Sequence, residues 1–288
     1  MALVAAIVAV LPRVLRVALG AFVGWLTGSV LRIRRAHVEA SMRRAGVAQP
    51  AREARAMYGA LAAGAVELLA LSRDANALST VAVAAASAAR WTKAVRDRRG
   101  IVVAASHTGN WDLAACAIAR DVELVVVTKH LSVRSLDAFW QRTRAARGVH
   151  LVDAEGALAV ARAAIGRGAA VAFMIDQVPM SQRHAIEVDF LGARAFVDRT
   201  AATVAATTGA PLLVTAAERT PRGHRLHVLE VLEPPRRGRR AWIDSATRDA
   251  TRALERFVLA HPRDWLWMHR RWRVPADIPD APTMMPPR

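Results

Sequence analysis

Short apolar runs rich in β-branched residues, each followed by a helical stretch, constrain this chain more than any other feature. Ile101 to Ala105 and Ala170 to Ile175 are short apolar runs that suit buried strands, and Glu123 to Thr128 and Val149 to Val152 read as extended. Between them, Asn110 to Arg120, Ser132 to Ala146 and Glu155 to Arg167 carry helical patterns, the last stopped by Gly168. Strands alternating with helices of ten to fifteen residues predict an α/β fold: a mostly parallel central sheet flanked by helices. Further on, Asp198 to Thr208 reads as a helix ended by Gly209, Pro211 to Ala216 and Arg225 to Leu232 as strands, and Trp242 to Ala260 as a long helix. Upstream, Arg52 to Ser72 repeats apolar residues at Met57, Leu61, Ala65, Leu68 and Leu69, one face of a helix, and the alanine-rich segment Ala75 to Arg98 also reads as helix.

The first 48 residues differ in texture. Met1 to Leu11 is apolar, Arg13 and Arg16 interrupt, Val17 to Leu31 is uncharged, and Arg32, Arg34 and Arg35 follow. Neither run alone reaches the roughly 20 residues that cross a bilayer. A secretory signal places its positive charge before the apolar core, the reverse of the order here. The expectation is a retained, membrane-associated helical segment lying in or dipping into the membrane with its arginines at the headgroups; an ordinary buried helix is the alternative. The expected organisation is residues 1–48 as this segment, 49–275 as one catalytic domain and 276–288 as an irregular tail.

Charge points the same way. Lys and Arg number 41 against 24 Asp and Glu, a formal charge of +17, which favours anionic lipid headgroups, an acidic protein or nucleic acid. No recognised nucleic-acid reading motif accompanies it, so nucleic acid is not an expected partner. With 53% hydrophobic residues the chain can bury a sizeable core. Cys116 is the only cysteine, which excludes an intramolecular disulfide and a cysteine-rich zinc site, and it reads as a small buried residue. The Arg236, Arg237, Arg239 and Arg240 turn reads as a solvated loop or a headgroup contact.

Chemistry concentrates in Ser106-His107-Thr108-Gly109-Asn110-Trp111-Asp112, which follows a predicted strand and opens a predicted helix. Ligands of open α/β sheets bind at the carboxyl ends of strands. A turn at Thr108-Gly109 can fold Asp112 back towards His107, giving a base with an orienting carboxylate. There is no Gly-x-Ser-x-Gly elbow, and Cys116 falls inside a helix, so the proton His107 takes is expected to come from the substrate's own hydroxyl.

The string resembles the His-Thr-Gly-Asn-Trp-Glu signature of the lipid A late acyltransferases, within the lysophospholipid acyltransferase superfamily. Leu136-Asp137-Ala138-Phe139-Trp140 with Arg144 and Arg147-Gly148 is similar to the family's second block. Phe173-Met174-Ile175-Asp176-Gln177, Val188-Asp189-Phe190-Leu191-Gly192, Ala210-Pro211-Leu212 and Pro262-Arg263-Asp264-Trp265-Leu266-Trp267-Met268-His269-Arg270-Arg271-Trp272 resemble later blocks in the same order. The resemblance implies transfer of a fatty acyl group from acyl carrier protein or acyl-CoA to a hydroxyl of a membrane lipid, at the cytoplasmic face of the inner membrane, with no metal or bound cofactor. It implies His107 as the base, Asp112 as its partner, and Asn110, Arg144, Arg147, Asp176 and Gln177 at the substrate site. Asp112 stands where the subgroup has glutamate, and Val178-Pro179 follows Asp176-Gln177 where the family often has an acidic residue or glycine. The acceptor lipid therefore stays open. So do three other readings: a non-catalytic membrane-binding protein of the same fold, a hydrolase that passes the acyl group to water, and a nucleic-acid-binding protein. The C-terminal tryptophans suit either a membrane-interface belt or packing against the sheet.

Overall fold

The computed structural model describes residues 1–128, 133–154 and 156–273. The expected tail 276–288 and the start of the predicted helices at Ser132 and Glu155 lie outside the described residues.

Nine strands are described: β1 (Val81–Val83), β2 (Ile101–Ala105), β3 (Leu124–Thr128), β4 (Val149–Asp153), β5 (Ala170–Met174), β6 (Ala185–Phe190), β7 (Ala193–Asp198), β8 (Leu212–Thr220) and β9 (Gly223–Leu232). Seven form one sheet in the order β1-β9-β8-β2-β5-β3-β4, parallel throughout except for the β8–β9 hairpin, and β6 and β7 make a separate antiparallel hairpin. The helices are α1 (Ala2–Val10), α2 (Arg13–Trp25), α3 (Arg35–Arg44), α4 (Pro50–Leu71), α5 (Ala85–Arg96), α6 (Trp111–Asp121), α7 (Arg134–Ala145), α8 (Ala157–Gly166), α9 (Thr200–Thr208) and α10 (Arg239–Ala260). The predicted α/β sheet with flanking helices is therefore the observed architecture.

Strand alternation sorts the core onto two faces. Ile101 and Val103 of β2, Leu124 of β3 and Ala170 and Ala172 of β5 pack with Leu113, Cys116 and Ile118 of α6. Val102 and Ala104, Val125, and Val171 and Phe173 point the other way, against α9 and α10. Because both faces are covered, these strands are apolar at every position rather than at alternate ones. Cys116 is fully buried, and burial pushes its thiol up to about 12, as befits a small core residue.

One predicted element is corrected. Ala75 to Arg98 is not a single helix: Ala75–Thr80 is a 3-10 turn, Val81–Val83 is β1, and only Ala85–Arg96 is helical. Asp74 accepts a hydrogen bond from the backbone N–H of Asn76 and starts the turn, and β1 then pairs in parallel with His224 to Leu226 of β9. The many alanines hide the change from helical to extended backbone, which is driven by a sheet edge that local pattern does not reveal.

The N-terminal segment packs through glycine. Gly20, Gly24 and Gly28 recur every fourth residue along α2 and its π-helical continuation Leu26–Val30, forming a ridge against α4. A Cβ at Gly24 would stand 2.6 Å from the Gly59 Cα, and one at Gly28 would stand 2.5 Å from the Tyr58 ring. Small residues on both helices let the backbones approach this closely. The opposite face carries Leu3, Val10, Val14 and Phe22, with Val10 80% exposed and Val14 77%. The buried-helix alternative thus describes one face only. The other is a large exposed apolar surface flanked by Arg13, Arg16 and Arg32, which fits association with a membrane. Arg13–Val30 and Pro50–Leu71 are each long and apolar enough to cross a bilayer, but Pro50–Leu71 carries the paired Glu67 and packs inside the protein.

The ridge makes a stability prediction. Gly24→Leu should destabilise the protein by about 1–3 kcal/mol in detergent unfolding, because α2 must lift off α4. Val17→Leu, on the exposed face, should stay within about 0.5 kcal/mol of the parent.

Candidate active site

The parallel register of β2 and β5 builds the centre of the site. Ala105 lies beside Met174, and the backbone N–H of Ile175 donates to Ala105 O at 2.9 Å, so the ladder runs on past both strand ends. Two residues further, His107 meets Asp176. His107 Nδ1 is 2.9 Å from Asp176 Oδ1, and the His107 backbone N–H donates to Asp176 Oδ2 at 2.8 Å. Trp265 Nε1 donates to the same Oδ2 at 2.9 Å. Asp176 is 1% exposed, so its carboxylate depends on these donors. Burial alone would raise its pKa, but the electrostatic attraction and hydrogen bonds of His107 outweigh that and hold it well below the usual carboxylate range. An ionised carboxylate at Nδ1 sets the neutral imidazole as the Nδ1–H tautomer, leaving the Nε2 lone pair free. Gln177 Nε2 lies 3.2 Å from that Nε2 and is placed to donate to it.

The loop is held from two sides. The backbone N–H of Gly109 donates to Asp264 O at 2.7 Å, and that of Leu266 donates to His107 O at 3.1 Å, so the C-terminal segment clasps the loop like an added strand. Thr108 Oγ1 accepts from the Ala217 N–H at 2.9 Å. Gly109 has φ +53°, and a Cβ there would lie 2.5 Å from Ala217 O, so this turn requires glycine. Trp265 and Trp267 are fully buried against this clasp, which settles their alternatives in favour of packing.

The other expected residues take different places. Asp112, in the first turn of α6, turns towards α7 rather than His107: Arg144 Nε and Nη2 reach its Oδ1 at 2.7 and 2.6 Å, and Trp140 Nε1 reaches Oδ2 at 2.8 Å. Asp112 and Arg144 both line the cavity described below, as a pair. Asn110 caps α6, its Oδ1 accepting from the Leu113 N–H at 3.1 Å, while its Nδ2 donates to Glu67 and to Gly64 O. Arg147 donates to Leu71 O at 2.6 Å and so ties α4 to the end of α7, and it is not among the cavity-lining residues.

Glu67 of α4 anchors this frame. Arg219 holds both its oxygens, at 2.6 and 2.8 Å, and His224 Nε2 and Asn110 Nδ2 approach the second at 3.1 and 2.9 Å. Burial pushes the Glu67 carboxyl up, but hydrogen bonds from His224 and Arg219 overcome it and bring the pKa down to about 2.

A cavity of about 980 Å³ opens beside His107, at the upper end of the usual range for ligand sites. Its polar end is formed by His107, Asp112, Arg144, Gln177 and His269. Its apolar end runs between α6 and the sheet, lined by Val103, Ala114, Ile118, Leu124, Val126 and Leu226. Val103, Ala172 and Val126 form one row across three strands, and the small central alanine leaves the space open. A polar end with a base and a long apolar end suit a molecule with a reactive head and a hydrocarbon tail.

The sequence model of the family described as bacterial lipid A biosynthesis acyltransferase matches residues 1–274 of the chain. No curated protein matches the chain significantly.

The Glu67 network yields a pH prediction. A depressed carboxyl contributes stability above its ordinary pKa of 4.5 and loses it as pH falls towards about 2. Glu67→Gln should therefore lower the unfolding midpoint at pH 7, and the gap to the parent should narrow progressively below about pH 4.5.

Proposed function

The chain belongs to the bacterial lipid A biosynthesis acyltransferase family, and we propose that it moves a fatty acyl group from a thioester of acyl carrier protein or coenzyme A to a hydroxyl of a lipid A-like acceptor. The observation that carries the reading is His107, which lines a cavity with both polar and apolar walls and is bonded to the buried carboxylate of Asp176.

The acyl chain lies along the apolar end, between α6 and the row Val103, Ala172 and Val126. Its thioester carbon then rests near His107. The acceptor hydroxyl displaces Gln177 from His107 Nε2 and gives up its proton there as its oxygen attacks the carbonyl carbon. Asp176 holds the ring in orientation and stabilises the imidazolium that forms. The tetrahedral centre collapses, the carbon–sulfur bond breaks, and the thiolate takes the proton from His107. Every proton that moves is accounted for, and His107 ends as it began.

Asp112 in this reading acts on Arg144 rather than on the base. The pair neutralises the guanidinium inside a largely apolar cavity and sets it where it can contact an anionic group of the acceptor. Residues 1–48 form the membrane-associated segment and 49–275 the catalytic unit. Arg13, Arg16 and Arg32 beside the exposed apolar face support placement at the cytoplasmic face of the inner membrane, where anionic headgroups meet basic side chains.

Acyl transfer to total membrane lipid, followed by mass spectrometry of the new ester, tests this. Folded His107→Ala should lose about 10²–10⁴-fold in turnover, and its unfolding midpoint should fall because the ring donor to buried Asp176 is gone. Asp176→Asn should approach that loss, since an amide no longer enforces the productive tautomer, while Asp112→Asn should raise KM for the acceptor more than it lowers kcat. A full-rate His107→Ala protein refutes the mechanism, and release of free fatty acid in place of an ester makes the protein a hydrolase.

A further inference from the structure

The transfer passes through a tetrahedral centre whose oxygen takes up the negative charge of the broken carbonyl π bond, and a donor must face that oxygen. His269 is a half-buried titratable group that the steps above leave unused. Its ring lies edge-on to His107 at 5.1 Å between centroids and lines the same cavity as His107 and Gln177. Its Nε2 is sealed from solvent and has no hydrogen-bond partner among the described residues. Buried polar nitrogens are nearly always paired, and an orphan on a residue that lines the reaction cavity points to a partner met when the ring turns towards the substrate.

Three features fit the ring to this task. Its backbone is fixed: the Leu266 N–H bonds His107 O at 3.1 Å, the His269 N–H bonds Leu266 O at 3.3 Å, and His37 Nε2 donates to His269 O at 3.1 Å. It is neutral: burial first, and the charge of His107 second, bring its pKa down to about 4, so at neutral pH it carries one N–H and no charge. And it does not compete for the proton, because an imidazolium at His107 disfavours a second one beside it.

We propose that His269 is a further catalytic residue, whose Nε2–H donates a hydrogen bond to the thioester carbonyl oxygen as that oxygen becomes negative. The inference rests on the reading of His107 as the base. As the acceptor oxygen–carbon bond forms, the acceptor proton passes to His107 Nε2 and the carbonyl π pair moves onto the oxygen facing His269. As the π bond re-forms, the carbon–sulfur bond breaks, the thiolate takes the proton from His107, and His269 keeps its own proton throughout. A neutral donor of this kind, once turned towards the oxygen, stabilises the charge that develops there.

The test uses the full chain in detergent with fatty acyl thioesters of carrier protein and of coenzyme A, total membrane lipid as acceptor, and thiol release as the readout. His269→Phe keeps an aromatic ring but removes the donor, and should lower kcat by about 10²–10³-fold with KM for both substrates changed by less than about threefold. His269→Gln, whose amide N–H falls near the Nε2 position, should recover at least about tenfold of that loss. His269→Ala, should the phenylalanine variant not fold, should be rescued by added imidazole. The inference is overturned if folded His269→Phe keeps its kcat, if only KM rises, or if neither glutamine nor imidazole restores turnover. His107→Ala in the same assay separates the two ideas: turnover there defeats the underlying mechanism, whereas an inactive His107→Ala beside a fully active His269→Phe defeats this inference alone.

Discussion

A carboxylate sealed from water survives only if its lone pairs are taken, and the organisation of this protein around Asp176 follows from that requirement. The three donors it accepts come from different parts of the chain: the ring and the backbone of His107, at the end of β2, and the indole of Trp265, in the C-terminal segment. Meeting the needs of one carboxylate thus brings together two adjacent strand ends and a segment nearly ninety residues away. The same bonds that stabilise Asp176 fix the tautomer and orientation of His107, so the structural solution and the chemical one are the same set of contacts.

Around this centre the protein uses paired charges as braces and leaves the substrate path apolar. Glu67 with Arg219, His224 and Asn110 secures the catalytic loop to α4, and Asp112 with Arg144 and Trp140 secures α6 to α7. Removing either acid would strand a guanidinium in a poorly solvated place, which costs far more than an exposed pair would. The braces also connect the site to the membrane-associated segment. Gly20, Gly24 and Gly28 pack α2 on α4, Arg34 donates to Met268 O, and Arg44 lies 3.7 Å over the Trp272 ring. Through α3 and the loop before it, the N-terminal segment is therefore in direct contact with the C-terminal segment that clasps His107.

Much of this was legible in the sequence, and what was not has physical causes. Central strands announced themselves as unbroken apolar runs, which is why β2, β3 and β5 fell where expected, and the shorter run of the edge strand β4 was enough to place it too. The short β1 did not, because three residues beside an alanine-rich helix carry too little pattern to show an edge pairing. His107 stood out through its neighbours along the chain, whereas the carboxylate bonded to it was set by which strands lie side by side. Local spacing favours Asp112, five residues on; the parallel register of β2 and β5 brings in Asp176 instead. Arg147 looked like a substrate cation because of its place in a motif, and only the end of α4 beside it reveals its bond to a backbone carbonyl. The packing of Gly20, Gly24 and Gly28 was not read from the sequence, because the helix they meet lies some forty residues further on.

The central claim, that Asp176 rather than Asp112 holds His107 as a base with a free Nε2, can be read without turnover. Nitrogen-15 NMR of the histidine side chains reports which ring nitrogen carries the proton. The account predicts that neutral His107 is protonated at Nδ1, with that proton shifted downfield by a carboxylate, and that Asp176→Asn abolishes the shifted signal while Asp112→Asn leaves it in place. An Nε2-protonated ring in the parent protein, or a signal lost in Asp112→Asn and kept in Asp176→Asn, would contradict it.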